Sequence, residues 1–405
     1  MVPKGWEVKA LAEIVKEKIS YGIVQAGPHD PNGVPYIKSS DVRGVIKPAE
    51  LQRTSSQIHN KYRRSAVHPG DIVFSLRGNI GESAIVPQNL PEANLTQGTA
   101  RISVSNEHSN KFYFYQLATE KLLNRINALS KGSTFKEISL EELRKVKVLC
   151  APLSEQKKIA QILSTWDKAI DTSEKLLANS RQQKKILMQQ LLTGKKRLRD
   201  KNGVRFSGEW RPTTIGEISH CFSGGTPSRK KDEYYGGSIP WITSGKLNDR
   251  FVTSTSEFIT EAGLLNSSAK TITKNTILVA MYGATAGRVA INLLESATIN
   301  QAILAINLKA GISNSFFFHL LERKMVEAIN LVQGGQPNLN ASIIKNLRIR
   351  IPILEEQEKI AATLSSADRE IETLQQKLDC LKQEKKALMQ QLLTGKRRVQ
   401  VEEVQ

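Results

Sequence analysis

The chain has 405 residues, and 58 lysines and arginines against 39 acidic residues give it a formal net charge of +19. This length exceeds what one hydrophobic core supports, so we expect more than one domain, and the positive excess suits a polyanionic partner or an acidic protein surface. Three widely spaced cysteines (Cys150, Cys221 and Cys380) argue against a disulfide framework and a zinc site, and no apolar run is long enough to span a bilayer, so we expect a soluble cytoplasmic protein.

Residues 1–150 are predicted to form an α+β domain, which we call arm one. Short apolar or alternating runs bounded by turn residues predict strands over residues 35–38, 71–76, 84–86, 100–104 and 146–149. Residues 110–129 are predicted to be helical, with a counterpart near residues 313–331. A domain of about 150 residues is an ordinary size.

A long helix is predicted after arm one, within residues 151–200. Apolar residues recur at alternating spacings of four and three between positions 159 and 191, which is typical of a coiled-coil seam. Pro152 precedes this pattern, Glu155 lies in its first turn, and Gly194 stands where a left-handed cap ends a helix. Residues 181–201 also carry eight basic residues against one acid, either to meet an anionic partner or as a solvated basic helix end.

The same organisation repeats, with arm two over residues 201–351 and a second long helix and basic tail over residues 352–405. Pro352, Glu355 and Gly395 give the second helix the same start and cap signals. Residues 187–195 read Leu-Met-Gln-Gln-Leu-Leu-Thr-Gly-Lys, and residues 388–396 read the same nine letters at an offset of 201. This period indicates duplication of a whole domain-plus-helix unit rather than a solenoid. Upstream the copies match more loosely, with Pro-Tyr-Ile at 35–37 echoed by Pro-Trp-Ile at 240–242.

The two helices have two possible arrangements. They either pack separately on their own arms or pair with each other, and pairing must be antiparallel because arm two begins where the first helix ends. Pairing predicts an elongated rod with pseudo-twofold symmetry and an arm at each end. The 33 residues from 159 to 191 would span about 50 Å of helix at ~1.5 Å per residue.

No catalytic motif is found in the sequence. The six histidines lack metal-ligand spacing, there is no Walker A sequence, and Glu7 and Lys9 have no acidic partner that would complete a nuclease motif. The glycine-rich segments 77–81 and 282–288 follow predicted strands, where they either bring backbone amides to a phosphate or form hairpin turns.

The duplicated Gln-Gln-Leu-Leu-Thr-Gly-Lys helix ends, the openings Pro-Leu-Ser-Glu-Gln (152–156) and Pro-Ile-Leu-Glu-Glu-Gln (352–357), and Gly-Glu-Trp at 208–210 resemble the specificity subunit of type I restriction-modification enzymes. The resemblance covers essentially the whole chain. It implies two target-recognition domains, each reading half of a split DNA sequence, joined by helices that space them and dock two modification subunits, with restriction subunits joining that core. It also implies that the methyl donor, ATP and magnesium are bound by partner subunits, so we expect this chain to hold no cofactor or metal and to have no catalytic residue.

Side chains on predicted strand ends and turns are the candidates for contacting double-stranded DNA, because arginine and lysine pair with guanine edges and asparagine and glutamine with adenine. In arm one the candidates are Lys38, Ser39, Ser40, Arg77, Asn79, Gln97, Lys131, Ser133, Thr134 and Lys136. In arm two they are Thr243, Ser244, Lys246, Tyr282, Arg288, Gln301, Gln333, Gln336 and Asn338. We expect a target with an unread gap and with its halves in opposed orientation.

Two rival functions remain open. A coiled-coil interaction protein without DNA readout would use its basic tails to dock on acidic partners, and would have no salt-dependent affinity for duplex DNA. A solitary methyltransferase or nuclease would need a methyl-donor or metal site, and methyl transfer by the chain alone would support it. A methylation-only system also uses such a subunit, and the sequence does not distinguish it from one with a restriction partner.

Overall fold

A computed structural model describes residues 2–131, 136–331 and 339–401. The chain divides into two units. Unit 1 contains residues 1–174 and 376–405, and unit 2 contains residues 175–375. Each unit therefore combines one arm with the beginning of one long helix and the end of the other.

Arm one consists of nine short strands and four short helices among its described residues. In chain order they are β1 (Glu7–Ala10), β2 (Ser20–Tyr21), β3 (Val34–Ile37), β4 (Arg53–Thr54), α1 (Ser56–Lys61), β5 (Ile72–Ser75), β6 (Ser83–Ile85), β7 (Asn94–Leu95), β8 (Thr99–Ile102), α2 (Asn110–Leu117), α3 (Glu120–Leu129), α4 (Leu140–Lys145) and β9 (Lys147–Cys150). All five predicted strands are confirmed, with ends shifted by one or two residues.

The strands of arm one form small sheets rather than one large sheet. A four-stranded sheet has the order β2-β8-β5-β6, a three-stranded sheet has the order β4-β3-β7, and β1 pairs with β9. Strand β5 is the apolar run Ile-Val-Phe-Ser, buried at all four positions, as expected for a strand covered on both faces. Strands β3 and β7 are parallel, whereas β5 and β8 are antiparallel.

Arm two repeats this plan with more strands. Its elements are β10 (Arg211–Thr214), α6 (Ile215–Ile218), β11 (Ser219–Ser223), β12 (Tyr235–Ile242), β13 (Phe251–Val252), β14 (Phe258–Ile259), α7 (Glu261–Leu265), β15 (Lys270–Thr273), β16 (Ile277–Ala280), β17 (Val289–Asn292), β18 (Ser296–Ile299), β19 (Ile303–Leu308), α8 (Asn314–Leu331), α9 (Ala341–Lys345) and β20 (Arg348–Ile351). The larger sheets have the orders β11-β19-β16-β17-β13 and β14-β12-β18-β15, and β10 pairs with β20. The predicted α+β class is confirmed for both arms.

The two long helices, α5 (Leu153–Leu191) and α10 (Leu354–Leu392), have 39 residues each. Gly194 and Gly395 have positive φ values of 72° and 67°, which confirms the predicted left-handed caps. The cap amides bond back into the last turn, with Lys196 N donating to Gln190 O at 3.1 Å and Arg397 N to Gln391 O at 3.1 Å.

Helices α5 and α10 pair antiparallel, as predicted, and the alternative of separate packing is wrong. In unit 1 the start of α5 packs with the end of α10, so that Leu163 and Leu392 share the core of arm one with Trp6. In unit 2 the roles are exchanged, and Leu191 and Leu364 share the core of arm two. The two units thus repeat one arrangement with the helices in opposite roles.

Three polar positions of the seam, Ser180, Lys184 and Lys385, find partners across the helix pair. Lys184 Nζ lies 2.5 Å from Asp368 Oδ1 in unit 2, and the matching Lys385 contacts Asp167 in unit 1. Ser180 Oγ donates to Glu370 Oε1 at 2.9 Å. These polar residues interrupt the apolar pattern of the sequence, yet each has a partner on the facing helix.

The prediction of one helical stretch over residues 110–129 is wrong in part, because α2 and α3 are separate helices. Thr119 separates them by turning its hydroxyl back onto Gln116 O at 2.7 Å, a local bond that competes with helix continuation. The counterpart in arm two is the single helix α8.

Within the described ranges, none of the helices is both long and apolar enough to cross a bilayer. Across the same part of the chain, no group of three or more histidine, cysteine and acidic side chains is placed to hold a metal ion.

Candidate nucleic-acid interface

Three loops of arm one meet at one edge because of the strand directions. Strands β3 and β7 are parallel, with Ile37 opposite Leu95, so the residues that follow them emerge side by side. Strand β5 is antiparallel to β8, with Ser75 opposite Thr99, so the loop after β5 leaves beside the residues that precede β8. Residues 38–43, 76–82 and 96–98 therefore form one surface, which we call the arm-one strand-end surface.

Side-chain contacts join these loops. Ser39 Oγ donates to Gly98 O at 3.0 Å, which ties the first loop to the third. Arg43 contacts the Asn79 amide oxygen and so ties the first loop to the second. Lys38 Nζ lies 3.3 Å from Gln52 Oε1. Six candidates are thus brought together at this surface, namely Lys38, Ser39, Ser40, Arg77, Asn79 and Gln97, and all are half-buried or exposed.

The segment before α4 adds further basic residues to the same surface. Arg77 Nε lies 2.7 Å from Glu137 Oε1, and the backbones of Lys131 and Glu137 exchange two hydrogen bonds of 2.9 Å. Lys131 and Lys136 are exposed beside this bridge. Two other candidates, Ser133 and Thr134, lie outside the described residues.

Arm two has an equivalent strand-end surface. Strands β12 and β18 are parallel, with Ile242 opposite Ile299, and β16 is antiparallel to β19, with Ala280 opposite Ile303. Residues 243–249, 281–288 and 300–302 therefore emerge together. The candidates Thr243, Ser244, Lys246, Tyr282, Arg288 and Gln301 lie on these three loops and are half-buried or exposed.

The polar contacts of the second surface differ from those of the first. Lys246 Nζ lies 2.8 Å from Asp249 Oδ2, and Thr226 contacts the Gln301 amide oxygen. Arg288 forms the base of its turn, where its carbonyl oxygen accepts from Ala280 N at 3.0 Å. The remaining candidates, Gln333, Gln336 and Asn338, lie outside the described residues.

The two glycine-rich segments are hairpin turns that connect β5 with β6 and β16 with β17. Gly78 and Gly81 have φ values of 73° and 92°, and Gly283 and Gly287 have 84° and 77°, a region that favours glycine. Gly81 N bonds to Ser75 O at 3.2 Å and Gly287 N to Ala280 O at 2.8 Å. Because these amides are used inside the turns, the structure favours the hairpin alternative over a phosphate cradle.

Sequence reasoning missed Arg43 and Thr226. Arg43 ends the short 3₁₀ turn Ser39–Val42, and Thr226 follows the glycine pair at 224–225. Both contacts join segments distant in sequence, 36 residues apart for Arg43 and Asn79 and 75 for Thr226 and Gln301. The Gly-Gly-Thr sequence signals a turn, but it does not identify Gln301 as the partner.

The Glu-Gln pair near the start of each long helix fixes the helix to its unit. In unit 1, Arg398 Nε donates to Glu155 Oε2 at 2.9 Å, and Gln156 Oε1 accepts from Ser109 N at 2.8 Å, at the start of α2. The hydrogen bond with Glu155 raises the pKa of the Arg398 guanidinium. Since Arg398 follows the end of α10, this pair joins the beginning of one helix to the end of the other.

Unit 2 repeats these contacts. Arg197 donates to Glu356 through Nε at 2.6 Å and through a second nitrogen at 2.7 Å, and the Glu356 side chain is fully buried. Gln357 Oε1 accepts from Ser313 N at 2.9 Å, at the start of α8. The two openings quoted from the sequence are therefore structural anchors, and Glu356 is the counterpart of Glu155.

Two loop surfaces, each carried by an α+β domain that ends in one of two paired helices, define a duplicated recognition protein. The family described as type I restriction modification DNA specificity domain matches residues 3–179 and 207–383. The chain belongs to this family and is a DNA specificity subunit of a type I restriction-modification system.

Two relatives match most of the chain. The chain is 25% identical to the type I restriction enzyme MjaVIII specificity subunit of Methanocaldococcus jannaschii, over 98% of this chain and 94% of the relative. It is 27% identical to the EcoBI specificity subunit of Escherichia coli, over 81% and 72% of the two chains.

The fold is similar to that of the S subunit of a type I restriction-modification system from M. genitalium, with a TM-score of 0.59 and 17% identity over 97% of this chain and 99% of that one. A second chain, from work on complex assembly and conformational transition of the type I system, has a TM-score of 0.59 at 16% identity and covers 98% of this chain and 100% of that one.

Proposed function

We propose that this specificity subunit reads a bipartite DNA target, with one half contacted by each strand-end surface and an unread gap between them. The observation that carries the proposal is that each arm gathers three polar and basic loops at the ends of equivalent strands. Base edges are read by such side chains, and phosphates by the basic ones. Because the two helices exchange roles between the units, we expect the half-sites in opposed orientation.

We further propose that α5 and α10 dock two modification subunits, which restriction subunits then join. The nine identical residues at the two helix ends support two equivalent docking positions for two copies of one partner. The methyl donor, ATP and magnesium are assigned to those partners, and this chain to target recognition without catalysis. The cytoplasm is the compartment that this role requires.

The test is to co-express the chain with its modification subunit and to map methylated adenines across genomic DNA by single-molecule sequencing. We expect a split motif with a fixed gap, and replacing residues 1–150 with those of a relative should change only one half. A continuous motif, or no methylation by a stable complex with a competent partner, would contradict the proposal.

Two glutamines provide matched variants for the same assay. Gln97→Ala should relax recognition only in the half read by arm one, and Gln301→Ala only in the other half, so each variant is the control for the other. A lost base contact is worth about 1–3 kcal/mol of discrimination. Equal loss in both halves would assign these residues to folding rather than to readout.

The salt dependence of DNA binding distinguishes the proposed function from its rival, a coiled-coil interaction protein without DNA readout. Binding to duplex DNA through phosphates weakens steeply with salt, with a slope of about −0.9 per neutralised phosphate in a double-logarithmic plot. A shift assay of the complex over a salt series should show this slope. Absence of any salt-dependent DNA binding would favour the rival.

A further inference from the structure

A charged cluster in unit 2 joins the first loop of the arm-two strand-end surface to the long helices. Arg250 donates to both oxygens of Glu322 on α8, from Nε at 3.0 Å and from a terminal nitrogen at 2.8 Å. Its other terminal nitrogen lies 2.9 Å from Asp368 Oδ1 on α10. The guanidinium carbon also lies 5.0 Å from the centre of the Phe318 ring. All three nitrogens of the planar guanidinium therefore have a carboxylate partner.

The cluster continues into the helix pair and is balanced in charge. Lys184 of α5 shares Asp368 with Arg250, and its side chain is only 14% exposed. Two cations thus face two carboxylates. Burial raises the pKa of the Asp368 carboxyl, but the hydrogen bonds from Arg250 and Lys184 outweigh it, so that this pKa is lowered. The pKa of Glu322 is also lowered, because His319 and Arg250 outweigh its burial.

Arg250 stands directly beside candidate DNA-contacting residues. It follows the short 3₁₀ helix Ser244–Asn248, which carries Ser244 and Lys246, and Asp249 bonds back to Lys246. The carbonyl oxygen of Arg250 accepts from Ile291 N at 2.9 Å. The loop is therefore held at its start by β12 and at its end by Arg250.

Arm one lacks this link. Counting from Ile37 and Ile242, the residue matching Arg250 is Val45, which is 79% exposed. Counting from the matching helix-start serines, Ser109 and Ser313, the residue matching Glu322 is Ala118. The lysine–aspartate ion pair between the two helices is present in unit 1 as well, because Lys385 contacts Asp167. Asp167 also accepts a hydrogen bond from the Tyr115 hydroxyl at 2.5 Å. Arg250 and Glu322 have no charged counterpart in arm one, and Tyr115 stands there in place of His319.

We propose that Arg250 is a positioning residue for target recognition by arm two. Its guanidinium ties the loop of residues 243–249 to the helix pair, and recognition of the second half-site depends on that tie while recognition of the first does not. The inference rests on the proposed bipartite readout.

The test uses the purified complex with its modification subunit and duplexes that carry single base-pair substitutions in either half. Removing Arg250 alone takes a cationic partner from two partly buried carboxylates, those of Glu322 and Asp368, and is therefore destabilising. The main variant is therefore the double substitution Arg250→Met with Glu322→Gln, which keeps the Lys184 and Asp368 pair and the balance of charge. Arg250→Lys retains the charge without the fork, and Val45→Met is the matched control in arm one.

We expect the double variant to lose about tenfold in discrimination at one or more positions of the second half, which is the worth of about one bidentate base contact. The first half should stay within twofold of wild type, Val45→Met should change neither half, and Arg250→Lys should lie between. Equal losses in both halves, or full second-half discrimination by the double variant, would overturn the inference. If wild type itself recognises no split target, the proposed function fails instead.

Discussion

A methyl group added at Gly224 tests how tightly the arm-two strand-end surface is built. An ideal Cβ at Gly224 would lie 1.8 Å from the carbonyl oxygen of Ile299 and 2.5 Å from the carbonyl carbon of the same residue. Real Cβ atoms essentially never come within 3.0 Å of such a neighbour. The obstacle is a backbone carbonyl and cannot rotate away, so Gly224→Ala must move residue 224 and the end of β18 apart by about 1.2 Å, the difference between 3.0 and 1.8 Å. Gln301 lies two residues beyond Ile299.

Inserting volume into a packed site costs about 1–3 kcal/mol, and a backbone obstacle places this variant at the upper end. For a unit of this size, about 3 kcal/mol corresponds to a fall in melting temperature of roughly 6–12 °C. Calorimetry should find this fall in the transition of unit 2. Gly208→Ala is the control, because nothing lies within 4 Å of its added Cβ, and it should melt within about 2 °C of wild type. If Gly224→Ala also melted within about 2 °C of wild type, the steric argument would be refuted.

Three further predictions concern the interior of unit 2. Burial raises the pKa of Asp368, but its charged partners outweigh burial and lower that pKa. The stabilisation that these partners give is complete above the ordinary aspartate pKa and is lost as the pH falls through the pKa of the folded state. Melting temperatures measured from pH 7 to pH 3 should therefore fall less for Asp368→Asn than for wild type. Gln357→Leu removes the acceptor of the Ser313 backbone N–H. It should lower the free energy of unfolding, measured in urea, by about 1–3 kcal/mol. Leu364→Ala, at a site with no exposure, should cost about 2–5 kcal/mol, whereas Leu265→Ala, at 83% exposure, should change the same unfolding free energy by at most about 0.5 kcal/mol.

Patterns within a few residues predicted most of the fold. The spacing from Ile159 to Leu191, with Pro152 before it and Gly194 after it, sufficed for the first long helix. The strands followed from short apolar runs such as β5. The break between α2 and α3 was missed because one hydroxyl bond decides it, and the sequence pattern remains helical on both sides.

The candidate surfaces were predictable only in part. Strand ends identified which loops carry polar side chains, but the parallel pairing of β3 with β7, which brings the loops together, joins segments nearly 60 residues apart. The ion cluster around Arg250 draws on residues between 184 and 368, a separation that no local pattern encodes. In the first helix Glu155 was noticed as a helix signal, but in the second helix Glu355 was named rather than Glu356. The partners of Glu356 and Glu155, Arg197 and Arg398, lie 159 and 243 residues away.

The exchange of helix roles between the units explains why the apolar positions of the helix ends stayed identical while the arms diverged. The end of α10 contributes Leu388, Met389, Leu392 and Leu393 to the core of arm one, and the end of α5 contributes Leu187, Met188, Leu191 and Leu192 to the core of arm two. These four residues of each end must therefore fit the same kind of core against the start of the other helix, and packed cores resist changes of volume. The described candidate side chains on the strand-end loops carry no such constraint, because they are half-buried or exposed. Substitutions there change what each arm contacts while the helices, and the docking positions that we assign to them, remain as they are.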